Sequence, residues 1–308
     1  MPDDVVAAAR RQAEAAAVAA GISLVEARSV DDMAQVRALF DEVWQADPTN
    51  PAVTTELLLA YAHTGQYVVL AHDLDPGPGA GRPAAAPVAA SVGFLGAPIG
   101  RALHSNITGV RAAGLGRSLG WAVKLHQRAW ALAAGLDLVT WTYDPLIRRN
   151  AWFNVAKLAA RPVGYEVDFY GTMRDARNDG DESDRLYVRW SLDDPAVVAA
   201  AQGRTVPVDV DRLRDNGFRE LVAVDAGTGG PRRSAALAAV TTTAEPAVPG
   251  LLVQVPVDIE ALRAERPDLA QQWRLAVREA MQPAFAAGWE VTGFSRDGWY
   301  VLEMGVRT

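Results

Sequence analysis

Cysteine is absent from this 308-residue chain. Without cysteine there is no disulfide framework, no thiolate zinc site, no iron–sulfur cluster and no cysteine nucleophile. Long hydrophobic runs are also missing, since no stretch of about 18 apolar residues, the length that a transmembrane helix needs, occurs. The Ala-rich segment Met1–Gly21 lacks the basic and apolar regions of a secretion signal. We therefore expect a cytoplasmic protein with no membrane partner.

Basic residues are in the minority: 30 Lys and Arg stand against 37 Asp and Glu, which gives a formal charge of −7. A domain that follows a phosphate backbone is usually basic, so we expect no nucleic-acid partner. The four histidines show no metal-ligand spacing, and we expect no metal. Half of the residues are hydrophobic, enough to fold one large domain or two ordinary ones.

Apolar periodicity predicts an α+β fold in which a mixed sheet is flanked by helices. In chain order the predicted elements are a strand at 22–27, helices at 31–44 and 54–63, strands at 67–72, 88–95 and 102–110, a helix at 115–134, a strand at 136–142, a helix at 148–158, and strands at 166–170 and 185–190. The Pro/Gly-rich segment 75–87 predicts a long hairpin loop. This order indicates an antiparallel meander followed by a parallel crossover.

A second, smaller α+β domain is predicted to follow. We place the boundary after residue 192, so that the chain divides into residues 1–192 and 193–308. The predicted elements of the second part are strands at 221–224, 235–242 and 251–256, a helical tract within 259–287, and a final hairpin at 290–294 and 299–303. This part carries no glycine-rich phosphate signature.

The segment Gly109–Gly120, GVRAAGLGRSLG, lies between a predicted strand and a long predicted helix. Exposed N–H groups at a helix N-terminus, with glycines that allow close approach, form a site suited to a pyrophosphate. One interpretation is the dinucleotide-binding turn of a nicotinamide enzyme, built on Gly114, Gly116 and Gly120. Such turns normally follow the first strand of a parallel half, whereas an antiparallel meander precedes this one.

The whole order of elements resembles the GNAT superfamily of acyl-coenzyme A transferases. The resemblance covers about 21–192 and is strongest at Leu103–Asn154. In that superfamily a loop of the form Arg/Gln-x-x-Gly-x-Gly/Ala wraps the pyrophosphate of coenzyme A, and the segment LGRSLG occupies its place. Leu115 stands where Arg or Gln is usual and Ser118 where the first glycine is usual, while Gly120 matches. The resemblance implies a coenzyme A site formed by Gly109, Val110, Leu115, Gly116, Arg117, Ser118, Leu119, Gly120 and Asn150.

Residues 140–158, TWTYDPLIRRNAWFNVAKL, resemble more narrowly a bacterial subgroup of GNAT proteins with a Trp-Thr-Phe-Asp-Pro-Leu segment followed by Arg-Asn-Ala. The same resemblance extends to LHSNITGV at 103–110, to the pair Tyr170-Gly171 and to SDRLYVRW at 183–190. It implies an acyl-coenzyme A-dependent N-acyltransferase with acetyl- or succinyl-coenzyme A as cosubstrate. The implied acceptor is a small amine or amino acid, and a homodimer is one assembly consistent with it. The second part of the chain is left open as a divergent GNAT-like half.

Direct acyl transfer needs a base for the attacking amine, and His104 and Asp144 are the candidate bases. Many GNAT enzymes also place a tyrosine where this chain has Val155, and that tyrosine protonates the leaving thiolate. Tyr165 and Tyr170 on the next predicted strand could replace it, and Tyr170 is the one we select. Arg185 is the candidate for binding a substrate carboxylate, because a guanidinium pairs with a carboxylate through two hydrogen bonds.

Each candidate also has a structural interpretation. These are an interior histidine for His104, a turn residue for Asp144, a half-buried strand aromatic for Tyr170, a surface ion pair for Arg185 and a helix-terminal polar residue for Asn150. A second function stays open beside the transferase: a GNAT-like binding or regulatory module without transfer activity. The altered glycine loop and the missing tyrosine favour this alternative.

Overall fold

The computed structural model describes residues 1–45, 51–74, 86–171, 181–234 and 248–305. Most of the predicted Pro/Gly loop and all of the predicted strand at 235–242 lie outside these residues. The described residues form two compact units, the first at 1–141 and 191–193 and the second in the remainder. The domain division after residue 192 stays a prediction, as does the homodimer. In the part of the chain that is described, no helix is long and apolar enough to cross a membrane.

The first unit contains an antiparallel meander followed by a parallel strand. Its elements are α1 (Asp3–Ala20), β1 (Ile22–Glu26), α2 (Val30–Trp44), α3 (Thr55–His63), β2 (Tyr67–Asp73), β3 (Ala89–Gly96), β4 (Ala102–Val110), a 3-10 turn (Ala112–Gly114), α4 (Leu119–Ala133) and β5 (Leu138–Tyr143), whose last two residues belong to the second unit. The strands are neighbours in the order β1-β2-β3-β4-β5. All pairs are antiparallel except β4 and β5, which are parallel. The predicted mixed sheet is confirmed.

Helices cover both faces of this sheet because the strand side chains alternate between two apolar clusters. Val68 and Leu70 of β2 pack with Phe40 of α2 on one face. Ala71, the next residue of the strand, packs with Leu119 of α4 on the other. The period of two along a strand therefore builds a helix–sheet–helix sandwich from one continuous apolar segment.

The second unit carries a smaller, five-stranded sheet. Its elements are α5 (Arg148–Ala151), a π-helical turn (Trp152–Lys157), β6 (Arg161–Glu166), β7 (Arg185–Ser191), α6 (Pro195–Ala201), α7 (Val210–Asp215), β8 (Arg219–Val224), β9 (Pro231–Arg233), β10 (Leu251–Gln254), α8 (Ile259–Glu265), α9 (Pro267–Ala286), β11 (Trp289–Phe294) and β12 (Trp299–Met304). β6 and β7 form an antiparallel pair. The five-stranded sheet has the order β11-β12-β10-β8-β9. The predicted α+β class is confirmed.

Two predicted elements of the second unit are wrong in their bounds. The strand predicted at 166–170 lies at Arg161–Glu166, and a turn follows it. Asp168 has φ 45°, and its carboxylate accepts hydrogen bonds from the N–H and the hydroxyl of Ser183, so the strand cannot continue. The helical tract predicted within 259–287 is two helices, because Pro267 disfavours helical backbone at the residue before it.

Candidate active site

The parallel strands β4 and β5 pair only at their beginnings. The register pairs are Ala102 with Leu138, Leu103 with Val139 and His104 with Thr140, although both strands continue further. We call the place where the pairing ends, after His104 and Thr140, the fork. A strand that loses its neighbour has backbone N–H and C=O groups available to pair with an extended ligand.

A β-bulge lies on β4 directly beyond the fork. Gly93 of β3 pairs with Ser105 and Val92 with Ile107, so that Asn106 has no opposite residue. A Cβ atom on Gly93 would lie 2.9 Å from the backbone oxygen of His104, which explains why glycine occupies that position. Bulges redirect strand groups and are common beside active sites. The sequence contains no signal for Asn106, because a bulge depends on how two strands pair.

His104 is half-buried at the fork. Its Nδ1 atom lies 3.0 Å from Thr140 Oγ1, and its ring centroid lies 5.2 Å from that of Phe94. Burial lowers the pKa of His104, and the positive charge of Lys124 lowers it further. The imidazole is therefore neutral near pH 7, which is the form that accepts a proton.

Lys124 of α4 contacts both strands where they separate. Its Nζ donates to Ser105 Oγ at 2.9 Å and to Gln127 Oε1 at 3.0 Å, and lies 4.0 Å from the ring centroid of Trp141. The residue is only 6% exposed, and burial lowers its pKa to about 7. Sequence analysis did not single out Lys124. The available signal was a lysine among the apolar residues of an amphipathic helix.

The glycine turn between β4 and α4 has a left-handed backbone at two positions. Gly116 has φ 83° and Ser118 has φ 62°. Ser118 thus adopts the conformation that a glycine takes readily and that costs a residue with a Cβ about 1–2 kcal/mol. At Gly114 a Cβ would lie 2.4 Å from Leu119 Cδ1, so this glycine permits the close approach of the helix. The helix predicted from residue 115 begins at Leu119, because 115–118 form the turn.

The surface of the turn is largely backbone. Ser118 is exposed and its side chain makes no capping bond, and Leu115 is 71% exposed. Helix geometry leaves the N–H groups of Leu119 and Gly120, in the first turn of α4, without intrahelical acceptors. The helix dipole adds a partial positive charge there. This arrangement can bind an anion.

Three other residues predicted to bind the cofactor have protein contacts. The Arg117 guanidinium donates to Asp73 at 2.6 Å and to the backbone oxygen of Ala20 at 3.0 Å. Gly109 lets α2 approach β4, since a Cβ there would lie 3.0 Å from the Trp44 ring. Val110 packs against the apolar cluster on the α4 side of the sheet.

Asp144, in the second unit, is buried and bound by arginines. Its carboxylate accepts from Arg274 at 2.8 and 2.9 Å and from Arg263 at 2.5 Å. It also accepts from the N–H of Leu146 at 2.9 Å. Burial alone raises the pKa of Asp144, but the two arginines outweigh burial and hold that pKa well below its usual range. A carboxylate with so low a pKa is a poor proton acceptor, so the geometry favours a structural role over that of base.

Further acidic residues extend these ion pairs into a carboxylate–arginine cluster, which we define as Asp144, Asp181, Asp184, Arg263, Arg274 and Arg278. Asp181 contacts Arg263 at 2.9 Å and Arg274 at 2.8 Å. Arg278 donates to both oxygens of Asp184, at 2.9 and 2.7 Å. Buried charges are tolerated when every partner is present. Three arginines and three carboxylates balance one another here.

Arg185 and Tyr170 lie together beside this cluster. The guanidinium carbon of Arg185 lies 5.2 Å from the Tyr170 ring centroid, and its Nη1 donates to the backbone oxygen of Asp184 at 2.9 Å. Arg185 is buried, and burial lowers its pKa. The Tyr170 hydroxyl is 3.1 Å from Thr142 Oγ1. Binding of a substrate carboxylate by Arg185 and proton donation by Tyr170 stay predictions.

The helix predicted at 148–158 begins as expected at Arg148 but widens into the π-helical turn after Ala151. Asn150 is half-buried in its first turn, and its N–H donates to the backbone oxygen of Ile147 at 2.9 Å. Val155 is buried and offers no hydroxyl. Contact between Asn150 and a cofactor stays a prediction.

No protein-family model matches the chain, and no curated protein matches it at a significant level. Several solved structures resemble part of it. One is a GNAT-family acetyltransferase from Desulfovibrio desulfuricans, with 13% identity, a TM-score of 0.42, and coverage of 56% of this chain and 99% of that one. Another is the ribosomal-protein-S5-alanine acetyltransferase from Vibrio fischeri, with 14% identity, a TM-score of 0.42, and coverage of 56% and 94%.

A third is the diaminobutyrate acetyltransferase from Paenibacillus lautus, solved with its substrate and coenzyme A. It has 13% identity and a TM-score of 0.39, and the match covers 56% of this chain and 95% of that one. All three TM-scores lie below 0.5. The function proposed below therefore rests on the geometry and the sequence of this chain.

Proposed function

We propose that the chain is an acyl-coenzyme A-dependent N-acyltransferase whose cosubstrate lies along β4. The observation that carries the proposal is the fork. From Ser105 toward the glycine turn, the edge of β4 on the β5 side has no paired strand among the described residues. The six residues from Ser105 to Val110 span about 20 Å at the rise of a β-strand. An extended phosphopantetheine arm can follow such an edge, with its pyrophosphate at the N-terminus of α4 and its thioester at the fork.

The turn supplies the contacts that a pyrophosphate needs. The N–H groups of Leu119 and Gly120 and the dipole of α4 favour a negative group. Ser118 keeps the left-handed backbone of the glycine it replaces in the superfamily loop. We therefore propose that the Ser118 departure from that loop still permits the backbone contacts to the pyrophosphate. The local sequence resemblances at 103–110 and 140–158 support the same function.

His104 is the proposed base. It lies on β4 at the fork, and its lowered pKa keeps the imidazole neutral near pH 7. In the reaction His104 takes a proton from the acceptor ammonium, and the resulting amine attacks the thioester carbonyl. The backbone N–H of Asn106, the residue without an opposite partner on β3, is proposed to polarise the carbonyl oxygen.

We infer that the acceptor is a small amine or amino acid and that the acyl group is acetyl or succinyl. Arg185 is the proposed partner for an acceptor carboxylate. Tyr170, whose hydroxyl lies beside Thr142, is proposed to contact the acceptor rather than to protonate the leaving thiolate. The protein is proposed to act in the cytoplasm.

Isothermal calorimetry with acetyl-, succinyl- and free coenzyme A tests the proposal. We expect saturable binding of all three. Free coenzyme A should bind with most of the affinity of the acyl forms, because the pyrophosphate supplies most of the contacts. Lack of binding at millimolar concentration rules out the proposal. Binding without transfer to any member of a panel of amines and amino acids favours instead a GNAT-like binding module.

A further inference from the structure

Ser105 and Lys124 form a buried polar pair at the fork. Ser105 is the first residue of β4 beyond the last pair with β5, and Trp141 is the first such residue of β5. Lys124 contacts both, through a 2.9 Å hydrogen bond to Ser105 Oγ and through the face of the Trp141 ring. Ser105 is 5% exposed and Lys124 6%. A polar pair therefore lies where the two strands part.

The described surroundings of Lys124 supply hydrogen-bond acceptors but no counter-ion. Among the described residues no carboxylate forms an ion pair with its ammonium group. Gln127, fully buried beside it, accepts from Lys124 through Oε1, but its Nε2 has no hydrogen-bond partner within the described chain. Burying an ammonium without a counter-ion is energetically unfavourable. Such a group is commonly retained for chemistry.

Besides Lys124, the side chains of β4 and α4 that can carry a charge are His104, His126 and Arg128. His104 on β4 has a pKa that the Lys124 charge lowers. On α4 itself, Arg128 donates to the backbone oxygen of Leu192 at 2.7 and 3.0 Å. His126 bonds to Tyr67 at 3.0 Å. Burial brings the pKa of Lys124 to about 7, so its ammonium gives up a proton more readily than an ordinary lysine.

We propose that Ser105, backed by Lys124, delivers the proton that the departing thiolate of coenzyme A requires. The inference rests on the proposed acyltransferase function. It assigns a proton donor to a chain that has Val155 where GNAT enzymes often have a tyrosine. The donor lies on the same strand as His104 and at the fork, where the thioester sulfur is expected.

The proton and electron pairs balance through the relay. The acceptor ammonium gives one proton to His104, and the lone pair of the resulting amine forms the C–N bond to the thioester carbon. That nitrogen loses a second proton to solvent as the amide forms. The C–S bond breaks with its electron pair on sulfur. Ser105 Oγ–H then transfers its proton to sulfur, and Lys124 Nζ–H replaces the proton on Ser105. His104 and Lys124 return to their starting states by exchange with solvent, so the net products are an amide, free coenzyme A and one proton.

Two acetyl donors with different leaving groups test the proposal. Acetyl-coenzyme A releases a basic thiolate, whereas p-nitrophenyl acetate releases an anion that needs no proton near neutral pH. Because the chain has no cysteine, a thiol reagent reads released coenzyme A without background from the protein. A mixture of the common amino acids other than cysteine, whose thiol would react with the reagent, serves as acceptor, and water serves if none reacts.

We expect Lys124→Met and Ser105→Ala to lower turnover of acetyl-coenzyme A by about 100-fold, the size of a general-acid effect. Both variants should turn over p-nitrophenyl acetate nearly as wild type, and Ser105→Thr, which keeps the hydroxyl, should restore most of the thioester activity. Calorimetry should show unchanged affinity for coenzyme A. Lys157→Met removes the other lysine of the chain and is the matched control.

Equal losses on both donors, or no loss on either, overturn the relay. If Lys124→Met fails to fold, Ser105→Ala decides, because it removes a single oxygen atom. A wild-type protein that binds no coenzyme A and turns over no thioester defeats the proposed function itself. A wild-type protein that is active beside equally active variants defeats only the relay.

Discussion

The Nδ1 atom of His104 lies 3.0 Å from Oγ1 of Thr140, across the last register pair of β4 and β5. The two side chains therefore join the strands at the point beyond which they separate. Thr140 fixes the orientation of the imidazole ring, and burial together with the charge of Lys124 keeps that ring neutral. The His104–Thr140 pair thus orients the proposed base, and it is the last pair that holds β4 and β5 together.

His104→Gln tests the base directly. Removing the base should lower kcat by about 100-fold or more, with the affinity for coenzyme A nearly unchanged. In the wild type, activity should rise with pH through a pKa below the ordinary 6.5 of histidine, because the neutral imidazole is the active form. Steady-state rates measured between pH 5 and 8 check both points.

His104→Gln should remove that acidic limb from the pH profile. A structural histidine gives a different result: a lower melting temperature with full activity in the folded fraction. That result would leave an ordered water as the base. Thr140→Val, which removes the hydroxyl and keeps the shape, should weaken turnover less than the loss of the imidazole itself.

The stability of the protein should depend on pH through Lys124. Its ordinary pKa of 10.5 applies to the unfolded chain, and burial lowers the folded value to about 7. Between these values the unfolded state binds more protons, so the free energy of unfolding rises with pH. Urea midpoints measured at pH 7, 8 and 9 should increase more steeply for wild type than for Lys124→Met. Parallel lines for the two proteins would contradict a buried lysine with a lowered pKa.

Local patterns were sufficient to predict much of the first unit. The strand at 102–110 was predicted with the bounds it has, because its apolar residues end at recognisable turns. Ser29 caps α2, since its hydroxyl accepts from the N–H of Asp32 at 3.1 Å while the Asp32 carboxylate accepts from the N–H of Ser29. Such features depend on residues three or four apart, and the sequence displays them directly.

The site was less predictable because its contacts are long-range. Asp144 was expected to be a candidate base, but its partners Arg263 and Arg274 lie 119 and 130 residues further along the chain. Lys124 and Ser105 are 19 residues apart and meet only when α4 packs on β4. The bulge at Asn106 depends on the register of β3 and β4. None of these relationships leaves a periodic signal.

Replacing Ser118 by glycine should stabilise the protein. Ser118 has φ 62° and makes no side-chain cap bond, so its Cβ costs about 1–2 kcal/mol in the left-handed region. Glycine also destabilises the folded state by about 0.5–1 kcal/mol, because it loses more conformational freedom on folding, and this offsets part of the gain. We expect a net gain of up to about 1 kcal/mol in urea denaturation, with coenzyme A affinity equal or higher. Ser118→Ala keeps the Cβ and should show no such gain, so equal effects would contradict backbone strain at this position.

Asp144→Asn should destabilise the protein without removing its chemistry. The substitution removes one of the two carboxylates that contact the fully buried Arg274 and leaves Asp181 as the other. Breaking one partner of a buried ion pair costs about 3–5 kcal/mol. Asp137→Asn is the matched control, because Asp137 pairs with an Arg101 that is 61% exposed and should cost no more than about 1 kcal/mol. Urea denaturation measures both, and the specific activity of the folded fraction should be unchanged in each. A loss of turnover in folded Asp144→Asn with normal stability would restore Asp144 as a catalytic candidate.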